Sequence, residues 1–93
     1  MNQAIIKAIE EQRLLTFTYK NATRTVEPHT YGCSKKRVDG LCAWQLSGSS
    51  GDGYRLFLEP DMQNVLAMDE HFDGPRADYH RGDQRFVTIY AEL

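Results

Sequence analysis

The sequence predicts a mainly β fold in which one N-terminal helix precedes five to six short strands. The prediction rests on a helical apolar period over residues 2–13, on alternating apolar and polar residues after Leu14, and on regularly spaced turn-like sequences. Short strands joined by such turns are typical of a small, strongly bent sheet or an open barrel. We expect one domain over residues 1–93, with barrel strands at about 15–68 and a C-terminal loop and last strand at 69–93.

The helix is predicted from the apolar face of residues 2–13. Its apolar residues recur at positions i, i+1, i+4 and i+5, namely Ala4, Ile5, Ala8 and Ile9. Asn2 precedes this run and is a suitable N-cap, because its side chain can accept hydrogen bonds from free backbone N–H groups.

The strands are predicted from alternation and from turn residues. Leu15, Phe17 and Tyr19 share one face of the first strand, and alternation resumes after a turn at "KNAT". Pro28 has no N–H to donate, so it marks a strand end, an edge or a bend. Leu41–Leu46 is apolar apart from one glutamine, which indicates a central strand.

The second half of the chain alternates between turn-like and strand-like sequence. "SGSSGDG" reads as a long flexible turn, and "DEHFDGPRADYHRG" carries the Gly–Pro punctuation of a loop. The remaining strands are expected at "YRLFLE", "QNVLAM" and "RFVTIYAEL".

Composition limits the function classes. The 93 residues carry a net charge of −2, with seven Lys and Arg against five Asp and Glu in residues 1–53 and four against eight in residues 54–93. This balance argues against a protein that coats duplex DNA. The chain shows neither a signal peptide nor a run long enough to span a membrane, so we expect a cytoplasmic protein with no membrane partner and with Cys33 and Cys42 as reduced thiols.

Motifs for catalysis and metal binding are missing from the sequence. It contains no GxSxG, HExxH, CxxC or HxxxH, and "GSSGDG" lacks the Lys-Ser/Thr pair of a phosphate-binding P-loop. We therefore expect a non-enzymatic protein with no cofactor and no metal. The lone tryptophan, Trp44, is open to two interpretations, as a core residue or as a base-stacking platform.

Cations and hydrogen-bonding aromatic residues are concentrated around "VEPHTYGCSKKRVDGLCAWQL". Planar arginine donors suit phosphate groups, and aromatic rings suit bases. The candidate ligand-binding residues are Arg24, His29, Tyr31, Lys35, Lys36, Arg37 and Arg55. Arg55 lies in an otherwise apolar strand, where a cation needs either a ligand or a buried partner such as Glu27 or Glu59.

His29 and Tyr31 are two residues apart, so on a regular strand they would share a face. We expect them to supply geometry to a site near Arg55, with Lys35 to Arg37 as a mobile basic lip that attracts an anion without fixing it. A solvated hairpin tip beside an ordinary core is the alternative interpretation of this loop.

The order of several segments resembles the WYL domain of bacterial regulators. These are "IKAIEEQRLLTFTYKN", "RTVEPHTYG", "DGLCAWQLSG" and "GYRLFLEPDMQNV", which together cover most of residues 3–72. Arg24 and Pro28 match the family's R-x-v-x-P, with His29 as its P-H variant, and Arg55 and Phe57 match R-x-F.

The resemblance implies an Sm-like, SH3-type barrel with an N-terminal helix and a ligand-sensing role. WYL domains are accessory modules thought to bind nucleotide-like or single-stranded nucleic-acid ligands in transcription, DNA-damage or phage-defence circuits. The expected partners are a small anionic or nucleotide-like ligand, single-stranded nucleic acid bound weakly, and a second copy or a separate DNA-binding protein.

Departures from the family pattern lower the nucleic-acid affinity that we expect. The Trp-Tyr-Leu triplet falls at residues 39–41, where only Leu41 is retained, and two basic positions fall at Leu58 and Met62. We therefore expect weak nucleic-acid affinity without preference for duplex.

Two other interpretations of the function stay open: a protein–protein module that oligomerises through sheet edges, and a minimal RNA-binding barrel.

Overall fold

The computed structural model describes residues 1–48 and 51–93 and contains one helix and six antiparallel strands there. In chain order these are α1 (Gln3–Glu10), β1 (Arg13–Tyr19), β2 (Ala22–Ser34), β3 (Asp39–Ser47), β4 (Gly53–Leu58), a 3-10 turn (Glu59–Asp61), β5 (Met62–His71) and β6 (Phe86–Glu92). The predicted class, mainly β with an N-terminal helix, is confirmed. The predicted turn at residues 47–53 includes residues 49 and 50, which lie outside the described part of the chain.

The strands form one bent sheet. They follow the order β4-β3-β2-β1-β5, and β6 pairs with the C-terminal half of β2. Only the short 3-10 turn joins β4 to β5, although these strands stand at opposite ends of the order, so the sheet must curl. Within the described residues β4 and β5 are not paired with each other, so the barrel is not closed.

The helix covers one end of the core. Asn2 is its N-cap, because Oδ1 accepts hydrogen bonds from the N–H groups of Ala4 at 2.9 Å and Ile5 at 3.3 Å. The helix ends at Glu10, earlier than predicted, and Gln12 then adopts a φ of 52° that turns the chain into β1. The core residues share near-complete burial and include Ile5, Ile9, Leu15, Phe17, Val26, Tyr31, Leu41 and Phe57.

β2 is the longest strand and pairs with three others. Its N-terminal part pairs with β1, up to Val26 opposite Leu15, and its C-terminal part pairs with β6, from Thr30 opposite Glu92. Pro28 lies between the stretch of β2 that pairs with β1 and the stretch that pairs with β6. No strand on that side of β2 therefore needs a hydrogen bond from the N–H that proline lacks. The bend predicted at Pro28 is therefore the point at which β2 exchanges one neighbour for another.

A bulge at His29 changes which side chains reach each face. Against β3, Pro28 pairs with Ala43 and Thr30 with Cys42, so β2 carries one extra residue at this point. Tyr31 consequently pairs with Leu41 on the core face, and Thr30 lies on the opposite, outer face. Further along, the absence of a side chain at Gly32 allows β6 to approach β2 closely, because a Cβ at this position would collide with the carbonyl oxygen of Thr88.

Residues 72–85, which we call the C-terminal segment, lie against the outer face. Glu27, Trp44 and Tyr54 are register partners across β2, β3 and β4, and Arg76 contacts all three. Its Nε and Nη2 donate to the two carboxylate oxygens of Glu27 at 2.7 and 3.0 Å, and its Cζ lies 5.0 Å from the centre of the Trp44 ring. Its carbonyl oxygen accepts from the Tyr54 hydroxyl at 3.1 Å.

Both cysteines are free thiols, as predicted. The β2–β3 register does not place them opposite each other, because Cys33 pairs with Asp39 and Cys42 pairs with Thr30. No helix in the described residues is long and apolar enough to cross a membrane.

We predict that Glu27→Gln lowers the free energy of unfolding by about 1–3 kcal/mol, because the buried carboxylate makes two charge-assisted hydrogen bonds. Urea denaturation followed by tryptophan fluorescence measures this loss. The control is Glu70→Gln, which removes the same charge from an exposed side chain and should leave the midpoint unchanged. Equal stability of Glu27→Gln and wild type would contradict a stabilising role for this ion pair.

Candidate functional site

Two of the predicted site residues, Arg24 and Arg55, lie on the core face at the same end of the sheet. Arg24 is near the start of β2, Arg55 is in β4, and Gln45 of β3 lies between them. Gln45 links the two arginines: its Oε1 accepts from Arg24 Nη1 at 3.0 Å, and its Nε2 donates to the Gly51 carbonyl at 2.8 Å. Arg55 Nη2 donates to the same carbonyl at 3.1 Å.

Arg24 is a deeply buried cation whose described partners are all neutral. The residue is 7% exposed, and its Nη2 donates to the Tyr19 carbonyl oxygen at 3.1 Å. Its Cζ lies 5.7 Å from the centre of the Tyr19 ring and 5.9 Å from that of Phe57. Its Nε has no hydrogen-bond partner, and no carboxylate in the described residues forms an ion pair with it. Burying a charge without a counter-charge is costly.

Arg55 does not pair with either carboxylate considered from the sequence. Glu27 binds Arg76, and Glu59 accepts a hydrogen bond from the Tyr31 hydroxyl. Arg55 is half-buried and donates to the Tyr54 carbonyl oxygen at 3.0 Å as well as to Gly51. Of the two alternatives for Arg55, a buried ion pair with Glu27 or Glu59 is therefore not formed.

Two glycines allow the chain to pass close to these arginines. A Cβ at Gly48 would lie 2.6 Å from Arg24 Cδ, and one at Gly53 would lie 2.9 Å from Arg55 Nη1. Both glycines also have a φ near +140°, a conformation that other residues rarely adopt. The sequence "SGSSGDG" predicts only a flexible turn, whereas Gly48 and Gly53 make room for arginine side chains.

His29 and Tyr31 do not share a face, contrary to the prediction. Both are fully buried, and the bulge places the His29 ring beside Tyr54, Phe72 and Tyr79 while Tyr31 enters the core. The Tyr31 hydroxyl donates to Glu59 and accepts from the N–H of Asn2 at 2.8 Å. Burial and the Glu59 carboxylate raise the pKa of Tyr31. Both side chains have internal partners.

The His29 ring secures the C-terminal segment. Its Nδ1 lies 2.7 Å from the Glu27 carbonyl oxygen, which can only accept, so Nδ1 carries the proton. The Arg76 N–H then donates to the bare Nε2 at 3.0 Å. The ring is therefore neutral, and its burial lowers the pKa of His29 below the ordinary value.

The three loop cations lie far from the two arginines. Lys35, Lys36 and Arg37 occupy the turn between β2 and β3, at the opposite end of β2 from Arg24. All three are exposed, and none forms an ion pair within the described residues. The predicted basic lip beside Arg55 is therefore wrong, because the strands carry the turn to the other end of the sheet.

The sequence interpretation missed the outer face. Trp44 neither packs in the core cluster nor offers an open platform, because the Arg76 guanidinium and the edge of Tyr54 cover its ring. A cavity of about 500 Å³ lies between the sheet and the C-terminal segment, and Thr30 and Cys42 line it. Burial raises the pKa of the Cys42 thiol, so it stays protonated. The available signal was Glu27, an acid opposite Trp44 in a buried strand.

No family model, no curated protein and no solved structure matches the chain.

We predict that acid destabilises the protein through His29. Its pKa is lowered in the folded state, so below about pH 6.5 the unfolded chain binds a proton that the folded chain does not, and the free energy of unfolding falls as the pH drops. Urea midpoints between pH 5 and pH 8 should therefore decline more steeply for wild type than for His29→Gln.

The control for this measurement is His80→Gln, which removes an exposed ring and should retain the steep acid decline. If His29→Gln folds poorly, an NMR titration of the wild-type imidazole replaces it. Titration of that ring above pH 6.5 in the folded protein would contradict the assignment.

Proposed function

We propose that the chain is a non-enzymatic regulatory module that binds a small anion, of phosphate or nucleotide type, at the end of the sheet that holds Arg24 and Arg55. The observation that carries the proposal is the burial of Arg24 without a carboxylate counter-charge in the described residues. An anion would supply that charge and accept from the unpartnered Nε.

The surroundings of Arg24 suit an anion better than a second protein side chain. Gln45 and Gly51 already connect Arg24 to Arg55, so both guanidinium groups have a fixed orientation. The glycines at 48 and 53 leave backbone without side chains next to them. Fixed planar donors beside bare backbone are a common arrangement for phosphate recognition.

The resemblance to WYL domains supports the same class of ligand. Arg24 and Arg55 are the two arginines that match the family segments R-x-v-x-P and R-x-F. On this proposal the ligand controls a DNA-binding partner in transcription or phage-defence regulation, in the cytoplasm of a bacterium. Short single-stranded nucleic acid would bind weakly, because few cations surround this end of the sheet.

A structural role for Arg24 is the competing explanation. Its guanidinium covers the rings of Tyr19 and Phe57 and so closes one end of the core without any ligand. The two explanations differ in what happens when anions are added.

We predict that pyrophosphate and AMP shift the Arg24 Nε–H and Gly51 amide resonances in NMR titrations of the full chain. Arg55→Gln should weaken the binding at least tenfold, because one charge-assisted contact contributes about 1.5–3 kcal/mol. The control is Arg81→Gln, which removes an exposed guanidinium paired with Glu92 and should leave binding unchanged. If both resonances are unmoved at millimolar anion, Arg24 only closes the core.

Self-association through a sheet edge is the second candidate function, and an exposed leucine favours it. Leu66 in the edge strand β5 is 62% exposed, and a contact between two copies along this edge would cover it.

We predict for this second candidate that wild type sediments as a dimer at high micromolar concentration and that Leu66→Asp sediments as a monomer. Val87→Asp, at a similarly exposed position on β6, is the control and should leave the dimer intact. A monomeric wild type at these concentrations would exclude this candidate.

A further inference from the structure

Two of the three turn cations, Lys35 and Lys36, line a separate groove, which we call the β4 groove. Lys35, Lys36 and Val38 form one side, Leu56 and Leu58 form its floor, and the residues from Asp83 to Arg85 form the other side. Its volume is about 620 Å³, large enough for several side chains of a partner.

The charge of the β4 groove is positive although the chain is acidic. Lys35 and Lys36 form no ion pair within the described residues, whereas Arg85 is neutralised by Asp83, whose Oδ2 lies 2.6 Å from Arg85 Nη2. Two unpaired ammonium groups therefore stand at one rim. A partner that carries carboxylates near its own apolar residues would complement them.

The floor is apolar and open. Leu56 and Leu58 are 41% and 39% exposed, and they lie on the same face because they are two residues apart in β4. These two neighbouring leucines on the edge strand β4 present one apolar surface that a partner could cover. An open floor also favours a polypeptide over a small amphiphile, because small-molecule sites enclose most of their ligand.

The backbone of β4 offers one further contact. The Leu58 N–H points away from β3, because it donates to the Tyr19 hydroxyl at 3.2 Å, and the Tyr54 carbonyl accepts from Arg55. Backbone groups alternate along an antiparallel strand, so the N–H and C=O of Leu56 face the same open edge. An extended peptide can pair with the backbone of Leu56 there. Because the Leu58 N–H and the Tyr54 carbonyl are already hydrogen-bonded, that pairing is limited to a short stretch.

We propose that the β4 groove docks a short extended segment of a partner protein that carries acidic residues beside its apolar ones. The apolar side chains would cover Leu56 and Leu58, and the carboxylates would pair with Lys35 and Lys36. This site is separate from the proposed anion site, because its lysines lie at the other end of β2 and Leu56 points to the opposite face of β4 from Arg55.

The test is selection of random peptides on the immobilised full chain, followed by calorimetry with the best synthetic peptide. Enriched peptides should carry Asp or Glu beside Leu, Ile or Phe, and their affinity should fall with added salt. Lys35→Glu with Lys36→Glu should weaken binding at least tenfold. The control, Lys7→Glu with Lys20→Glu, makes the same change in net charge elsewhere and should leave the affinity within about twofold of the wild-type value, once salt screens the difference in total charge.

The apolar part is tested with Leu56→Ser, which should also weaken binding about tenfold, against Leu66→Ser, which removes an exposed leucine that does not line the groove. Thermal melts confirm that each variant is folded. The proposal is overturned by a selection that yields no peptides or peptides without acidic bias, and equally by retained binding in the Lys35 and Lys36 variant. Self-association that Leu56→Ser abolishes would also overturn it, because a second copy would then be the occupant.

Discussion

β2 pairs with β1, β3 and β6, and its bulge at His29 decides which side chains reach each face of the sheet. Without the extra residue, His29 and Tyr31 would point to the same side. With it, Tyr31 enters the core and supports the N-cap of α1, while His29 enters the outer face and receives the Arg76 N–H. One inserted residue thus attaches both the helix and the C-terminal segment to the same strand.

The outer face shows how a small sheet protects its second side. A domain of this size buries a modest core, so a covered second face adds contacts that the first face alone does not provide. Here the cover is a segment with little regular structure, held by Arg76 across the row of Glu27, Trp44 and Tyr54. The Glu27 carboxylate and the Tyr54 hydroxyl are hydrogen-bonded to the segment rather than to solvent, which is why Glu27 can be buried.

Much of the fold could be predicted from the sequence, because local patterns determine it. Alternation marked Leu15, Phe17 and Tyr19 as the buried face of β1, and the N-cap preference of asparagine located the start of α1. The candidate site was predicted less well. Arg24 and Arg55, two of the predicted ligand-binding residues, lie at the same end of the sheet, but the grouping of His29 with Tyr31 assumed an uninterrupted strand.

The remaining differences arise from contacts between distant residues. A bulge depends on the register with β3, and Pro28 beside His29 predicted a bend without specifying an extra residue. The role of Arg76 depends on Glu27, which is 49 residues away along the chain. A sequence pattern describes neighbours along the chain, so the loop-like composition of residues 72–85 indicated no packing partner.

The close approach of β6 at Gly32 also has a consequence for how the chain acquires this structure. Ser34 pairs with Phe86, so the C-terminal half of β2, which already has β3 on one side, obtains its second neighbour only after all the other strands have left the ribosome. Such long-range pairing slows folding, and until it occurs β2 presents an unpaired edge beside Pro28. A newly made chain therefore passes through a period in which another chain could pair with that edge, and a bulkier residue at 32 would prolong that period by obstructing the strand that ends it.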